Sequence, residues 1–212
     1  MKNEVTIGIL GLQGDIEENI TAAEVALQHM KVRGTVKAVR YSEEFEIVDG
    51  LILPGGESTV ISNLIAIRGN ALQTIKRRIS NGMPVMGTCA GMIMLSKHAY
   101  DRVVGETKQQ LMHSLDIVVE RNAFGRQNDS FEADLEIPLL GTDTFRGIFI
   151  RSPIVKEIGV GVDQIAKFDD NIVAVKQNNI IGTAFHPELA GDDRFHRHFV
   201  KMVIEFKKAN QR

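Results

Sequence analysis

The chain has one cysteine, Cys89, and it stands between two glycines in Gly87-Thr88-Cys89-Ala90-Gly91. A short apolar run, Pro84 to Met86, leads into this pattern, and an apolar, helix-compatible segment, Met92 to Leu95, leaves it. This is the Gly-x-nucleophile-x-Gly pattern of a strand-to-helix elbow, with cysteine in the place of serine. The turn is sharp enough to leave no room for a Cβ on either side, which is why glycine is needed there. A sulfur at such a turn projects from the sheet edge at a helix N-terminus, where partial positive charge favours thiolate over a thiol of pKa about 8.5. A free cysteine is also commonly a small buried hydrophobe. The stretch alone leaves both readings open.

A thiolate nucleophile needs a base, and the base needs a group that orients it. The chain offers six histidines. His29 falls within the first expected helix, and His98 and His113 sit in polar surroundings near helix ends or loops. His196 and His198 fall on the polar side of the last helix, two residues apart and pointing differently, which argues against a metal pair. His186 differs, because it ends an apolar strand and is followed by Pro187 and Glu188. A carboxylate hydrogen-bonded to one ring nitrogen selects the tautomer whose other nitrogen faces the sulfur. A lone strand-end histidine is usually structural. His-Pro-Glu in a chain with an elbow cysteine favours the catalytic alternative.

In open α/β sheets, ligands gather outside the carboxyl ends of the strands. Two glycine-rich loops fall at such ends, Gly11-Leu12-Gln13-Gly14 and Pro54-Gly55-Gly56-Glu57-Ser58. Either can be a tight turn. Either can also point backbone N–H groups at a developing negative charge and so form an oxyanion hole.

The elements that position these groups read as follows. Val5–Leu10 is a nearly continuous apolar run, as a strand buried on both faces would be. Asp15 looks like a helix N-cap with Glu18 completing a capping box, and Ile16, Ile20, Ala23 and Leu27 carry the helical stripe to about Lys31. Strands are expected at Thr35–Tyr41 and Asp49–Leu53, then a helix from about Asn70 to Asn81 closed by Gly82, then the strand before the elbow. Such alternation is the grammar of a parallel, doubly wound α/β sheet. Beyond Leu115 the runs are short and strand-like: Asp116–Arg121, Phe131–Ile137, Arg146–Ile150, Gln164–Phe168, Ile172–Gln177 and Ile180–Phe185. They are expected to complete the sheet in mixed or antiparallel fashion, with turn signals at Asp169–Asn171 and Asn178-Asn179. Phe195, Phe199, Met202, Val203 and Phe206 define an amphipathic closing helix.

Bulk properties narrow the function classes. At 212 residues, with 43% hydrophobic and 25% charged residues and no linker or repeat, one domain over 1–212 is expected. A net charge of −2 without a basic stripe gives a nucleic-acid partner no electrostatic support. One cysteine excludes an internal disulfide framework and a multi-cysteine zinc site. No apolar run approaches the roughly 20 residues of a membrane span, and the N-terminus does not read as a signal peptide. A cytoplasmic protein is expected.

Gly-Thr-Cys-Ala-Gly, Pro-Gly-Gly-Glu-Ser and His-Pro-Glu, in that order and spacing, resemble the class I glutamine amidotransferases. Leu10–Gly14, Leu53–Thr59, Val118–Gln127, Ser130–Asp134 and Phe149–Pro153 are similar to one branch of that family, the glutaminase subunits of pyridoxal 5′-phosphate synthase. The resemblance spans essentially the whole chain. It implies a three-layer, doubly wound mixed sheet of flavodoxin-like type and hydrolysis of L-glutamine to glutamate and ammonia. It implies Cys89 as nucleophile forming a glutamyl thioester, His186 as base and acid, and Glu188 as orienter. It implies glutamine binding by Gly55, Gly56, Glu57, Arg121, Ile150 and Arg151, and oxyanion donors from the Gly55-Gly56 loop and the Ala90 amide, with Gln13 helping at the subunit contact. The partner it implies is a (β/α)8-barrel synthase subunit in a large hetero-oligomer, and no P-loop or dinucleotide fingerprint points to a cofactor or metal of this chain's own. The alternatives are a glutaminase feeding another pathway, such as imidazole glycerol phosphate synthesis, a thiol peptidase or esterase, and a non-catalytic binding module.

Overall fold

A computed structural model describes residues 4–101, 104–124 and 130–211. Its first half alternates strands and helices: β1 (Val5–Leu10), α1 (Ile16–His29), β2 (Gly34–Val39), α2 (Ser42–Ile47), β3 (Gly50–Leu53), α3 (Ser58–Ala66), α4 (Ala71–Ser80), β4 (Val85–Thr88) and α5 (Ala90–Leu95). The second half is strand-rich: β5 (Ser96–Asp101), β6 (Gly105–Glu106), β7 (Leu115–Arg121), β8 (Ser130–Leu135), β9 (Phe145–Ile150), β10 (Ile154–Ile158), β11 (Asp163–Phe168), β12 (Asn171–Gln177) and β13 (Ile180–Thr183). The chain closes on α6 (Arg194–Asn210).

Among the described residues the strands form an eleven-stranded sheet in the order β2-β1-β3-β4-β13-β12-β10-β7-β5-β6, with β11 on β12. β1 pairs parallel with β2 and β3, and β4 pairs parallel with β3 and β13. From β13 to β7 the pairing is antiparallel. Every residue of β3, β4 and β13 is buried, which requires cover on both faces of the sheet. The helices supply it in two groups, α1 with α6 and α2 to α5 with one another.

Several expectations change. β8 and β9, expected in the main sheet, form a two-stranded ladder of their own. α3 is an added helix; its Ile61 and Ile65 are buried one turn apart, a stripe hidden behind the preceding glycines. β5, β6 and β10 are also additional, and His98 lies on β5, not at a helix end or loop. Asp15 caps α1 by position only. Its side chain makes no capping bond, so no capping box forms with Glu18.

The elbow glycines behave as expected. A Cβ on Gly91 would lie 2.0 Å from the Leu53 carbonyl oxygen of β3, and one on Gly87 would lie 2.7 Å from the Gly91 backbone. Real Cβ contacts do not come this close. Glycine at both places lets α5 start directly over β3 and β4.

α6 buries Phe195, Phe199, Val200 and Val203, and His196 with them. His196 therefore belongs to the packed face and not to the polar side. Both ring nitrogens lack hydrogen-bond partners among the described residues. Burial pushes the ring down to about 4 against the opposing charge of Asp193. A histidine depressed in the fold is protonated more readily when unfolded. The protein therefore loses stability as pH falls from about 6.5 toward 4, on the order of 3 kcal/mol for this group. His196→Leu is expected to flatten that loss, read as urea midpoints between pH 4 and 7; equal pH slopes in both proteins would exclude the role.

Candidate active site

The sulfur is placed by strain. Cys89 follows β4 at φ 47° and ψ −102°, a positive φ that a side-chain-bearing residue rarely adopts. Such a residue costs about 1–3 kcal/mol and persists only where its surroundings fix it. Here the Cys89 N–H donates to Thr183 O of β13 at 2.7 Å, and α5 begins at the next residue. The Ala90 N–H, in the first turn of that helix, has no intrahelical acceptor. The Cys89 Sγ lies 3.9 Å from the Ile150 carbonyl oxygen, so the Ile150-Arg151 peptide borders the nucleophile.

His186 follows β13, next to β4, and its N–H donates to Ile148 O of β9 at 2.8 Å. Phe185 before it is fully buried among Phe145, Phe149 and Phe195, with ring centroids 5.6–5.9 Å away. Burial of that ring is worth about 2–3 kcal/mol and fixes where the strand ends. Pro187–Leu189 form a single 3-10 turn that swings Glu188 back beneath the imidazole. Glu188 Oε1 lies 2.9 Å from His186 Nδ1, and the Thr88 hydroxyl donates to the same oxygen at 3.5 Å.

A second carboxylate reaches the same nitrogen. Asp15 Oδ2 lies 3.0 Å from His186 Nδ1. Nε2 is buried without a hydrogen-bond partner among the described residues and lies on the same cavity wall as the Cys89 sulfur. Burial disfavours charge on the ring, but the hydrogen bonds to Asp15 and Glu188, with the Cys89 sulfur nearby, outweigh it and raise its pKa to about 12. A cationic imidazole beside the sulfur is the partner a thiolate needs.

Asp15, His186 and Glu188 also bring three metal-type ligand atoms within 4.8 Å of one another. Atoms bound at about 2.0–2.1 Å to one tetrahedral ion lie roughly 3.3 Å apart. The 2.9 and 3.0 Å contacts fit hydrogen bonds better.

A cavity of about 210 Å³ opens beside the sulfur, and Gln13, Gly56, Glu57, Arg121, Ile150 and Arg151 line it with Cys89 and His186. Arg121 and Glu57 form an ion pair at 2.7 Å on its wall. Arg151, at φ 44°, is a second strained residue at the site. Gln13 Oε1 accepts the Glu57 N–H at 2.8 Å, and the Asp15 N–H donates to Gly55 O at 3.1 Å, so the two glycine-rich loops are tied together. Gly55 lies against the imidazole, where a Cβ would be 2.2 Å from Cε1. A larger hollow of about 710 Å³ runs between α1 and the 187–193 segment, but the Cys89 sulfur does not line it.

The expected triad, glutamine-binding and oxyanion residues, Gln13, Gly55, Gly56, Glu57, Cys89, Ala90, Arg121, Ile150, Arg151, His186 and Glu188, thus lie in or next to this one site. Gly125, Arg126 and Gln127 of the Arg121–Gln127 stretch lie outside the described residues. Sequence reasoning missed Asp15, Ser58, Ile93 and Asn122, which also border the cavity. For Asp15 there was a signal: it is an acid in a loop at the carboxyl end of the first strand.

The fold is that of a glutamine amidotransferase. A solved glutamine amidotransferase superposes with a TM-score of 0.81 at 39% identity, covering 93% of this chain and 98% of that one. A glutamine amidotransferase from Thermotoga maritima shares the fold at a TM-score of 0.60 and 13% identity, covering 99% of this chain and 86% of that one. Residues 9–205 match the SNO glutamine amidotransferase family, and the chain belongs to that family. It is 45% identical to the pyridoxal 5′-phosphate synthase subunit PdxT of Nitrosopumilus maritimus, over 95% of this chain and 98% of that protein. The subunit of the same name from Thermococcus kodakarensis is also 45% identical, over 94% of this chain and all of that protein. No helix of the described residues is long and apolar enough to cross a membrane.

Proposed function

We propose that this chain is the glutaminase subunit of a pyridoxal 5′-phosphate synthase. It hydrolyses L-glutamine to glutamate and ammonia and hands the ammonia to a (β/α)8-barrel synthase subunit. The observation that carries the chemistry is Cys89, held at positive φ on its elbow beside an imidazole whose far nitrogen is gripped by Glu188.

The Cys89 thiolate attacks the side-chain amide carbon of glutamine, and the carbonyl oxygen becomes an oxyanion. The Ala90 N–H and the Gly56 loop face that charge, with Gln13 supporting the loop through its bond to the Glu57 amide. The cationic His186 delivers its Nε2 proton to the departing nitrogen, and the C–N bond breaks to leave a glutamyl thioester and ammonia. Neutral His186 then takes a proton from water as the hydroxyl adds to the thioester. Collapse expels the thiolate and releases glutamate. Glutamine is a zwitterion, which calls for both signs of charge. In this reading Glu57 takes the ammonium, Arg121 and Arg151 take the carboxylate, and Gly55, Gly56 and Ile150 shape the slot.

Ammonia released into water near neutral pH becomes ammonium and is no longer nucleophilic. Delivery inside a cytoplasmic hetero-oligomer solves that problem and leaves this chain, as one domain, only the hydrolysis to perform. The test is glutamate formation by the chain alone and with the barrel subunit. We expect the partner to raise the rate at least about tenfold, a coupling of ordinary size. Equal rates with and without it would overturn the ammonia-transfer role.

A further inference from the structure

Glu188 accounts for the orientation of His186 by itself, yet a second carboxylate shares the nitrogen. Asp15 Oδ2 is 3.0 Å from Nδ1 and Glu188 Oε1 is 2.9 Å from it. Three features show that Asp15 is placed there and has not drifted into range. It occupies the N-cap of α1, where an aspartate ordinarily accepts an amide of the first turn, and it makes no such bond. Its own N–H is pinned to Gly55 O at 3.1 Å. The approach also depends on Gly55, because a Cβ there would lie 2.7 Å from Asp15 Oδ2 and 2.2 Å from the imidazole Cε1.

One Nδ1–H cannot satisfy two carboxylates equally, and two like charges this close repel unless a cation lies between them. A neutral imidazole leaves that repulsion in place. An imidazolium cancels it. We propose that Asp15 is a positioning residue for the hydrolysis, a second carboxylate that holds the His186 ring as the cation beside Cys89. The inference rests on Cys89 and His186 being the nucleophile and base of the proposed reaction.

The titratable groups that face His186 from the elements around it are Cys89 on the elbow, Glu188 on the 3-10 turn and Asp15 at the start of α1. Of the contacts that raise its proton affinity, the hydrogen bond it donates to Asp15 is the largest. The two carboxylates differ in setting. The Glu188 side chain is fully buried, whereas that of Asp15 is 34% exposed. Glu188 is thus the fixed orienter and Asp15 the solvent-edge charge. The consequence reaches both halves of the reaction. A cation is the right form for expelling ammonia, while the water step needs the neutral ring, so Asp15 favours thioester formation over its hydrolysis.

Asp15→Asn removes the charge but keeps a good N-cap residue of the same shape. The His186 ring can be titrated by NMR in the full-length chain, its signals assigned by their loss in His186→Asn. We expect the His186 midpoint in Asp15→Asn to fall by at least one pH unit, about a tenfold loss of proton affinity. In the complex with the synthase subunit, the alkaline limb of kcat/KM is expected to move down with it while KM for glutamine stays within about twofold. Asp15→Glu should restore both toward wild type. An unchanged midpoint in a folded Asp15→Asn protein would overturn the proposal, and Asp15→Ser, also a good cap, decides the matter if the asparagine variant does not fold. A purely structural Asp15 would lower the melting temperature without moving the titration. Failure of the underlying reading looks different: His186→Asn would then keep its turnover whatever Asp15 does.

Discussion

Cys89→Ala in the assembled synthase is expected to abolish glutamine-dependent pyridoxal 5′-phosphate formation while leaving synthesis from added ammonium salt unchanged. The first effect follows from the covalent path. Without the sulfur there is no thioester, and the loss should reach at least about 10⁴-fold in kcat, as for other nucleophile deletions. The second follows because ammonia from solution needs no glutaminase. The alanine Cβ occupies the place of the cysteine Cβ, so the strain at φ 47° is retained and the elbow is undisturbed. The melting temperature should therefore stay close to wild type. Cys89→Gly is expected to behave differently in stability alone. Glycine adopts positive φ without penalty, so that variant should gain up to about 1 kcal/mol while being equally inactive. Parallel assays with glutamine and with ammonium salt, together with thermal melts, check all of this. Residual glutamine-dependent turnover within tenfold of wild type would sink the thioester route.

The parts of the molecule that were legible in the sequence share a physical reason. β1, β3, β4 and β13 are buried on both faces, so their residues had to be apolar without alternation, and the runs stood out. The elbow was legible because its geometry excludes side chains at Gly87 and Gly91 and leaves those glycines as a visible signature. His186 could be picked from six histidines only because proline and glutamate followed it. The missed elements lacked such markers. α3 begins directly behind a glycine pair, and β5 follows α5 with no glycine or proline to announce the change. β8 and β9 read correctly as strands, yet sequence has no means of saying that they pair only with each other. Asp15 is the most instructive miss. Local grammar assigned its carboxylate to the helix start, and the structure gives it to a histidine 171 positions away. The same aspartate satisfies either pattern, and only three-dimensional proximity chooses between them.

His186→Asn is expected to lose turnover by at least about 10³-fold while still binding glutamine, and the reason lies in what each residue touches. Glu57, Arg121, Ile150 and Arg151, proposed to bind the amino acid, line the cavity, and Glu57 and Arg121 hold each other in an ion pair that does not involve the imidazole. Asparagine can donate a hydrogen bond to Glu188 but cannot carry a proton between sulfur, ammonia and water. Without the imidazolium, the sulfur has no proton partner and the leaving nitrogen has no acid. Stability should suffer as well. The Glu188 side chain is fully buried, and its Oε2 already lacks a partner among the described residues, so removing the cation leaves an uncompensated buried carboxylate. Breaking a buried pair in this way costs about 3–5 kcal/mol, which would show as a marked fall in melting temperature. Adding Glu188→Gln to His186→Asn removes the stranded charge and is expected to recover most of that stability. It recovers none of the activity. Calorimetric glutamine binding, melts and glutamate release on the single and double variants separate the two roles. If binding disappears in proportion to turnover even in the restabilised double variant, His186 builds the glutamine pocket and is not its proton carrier.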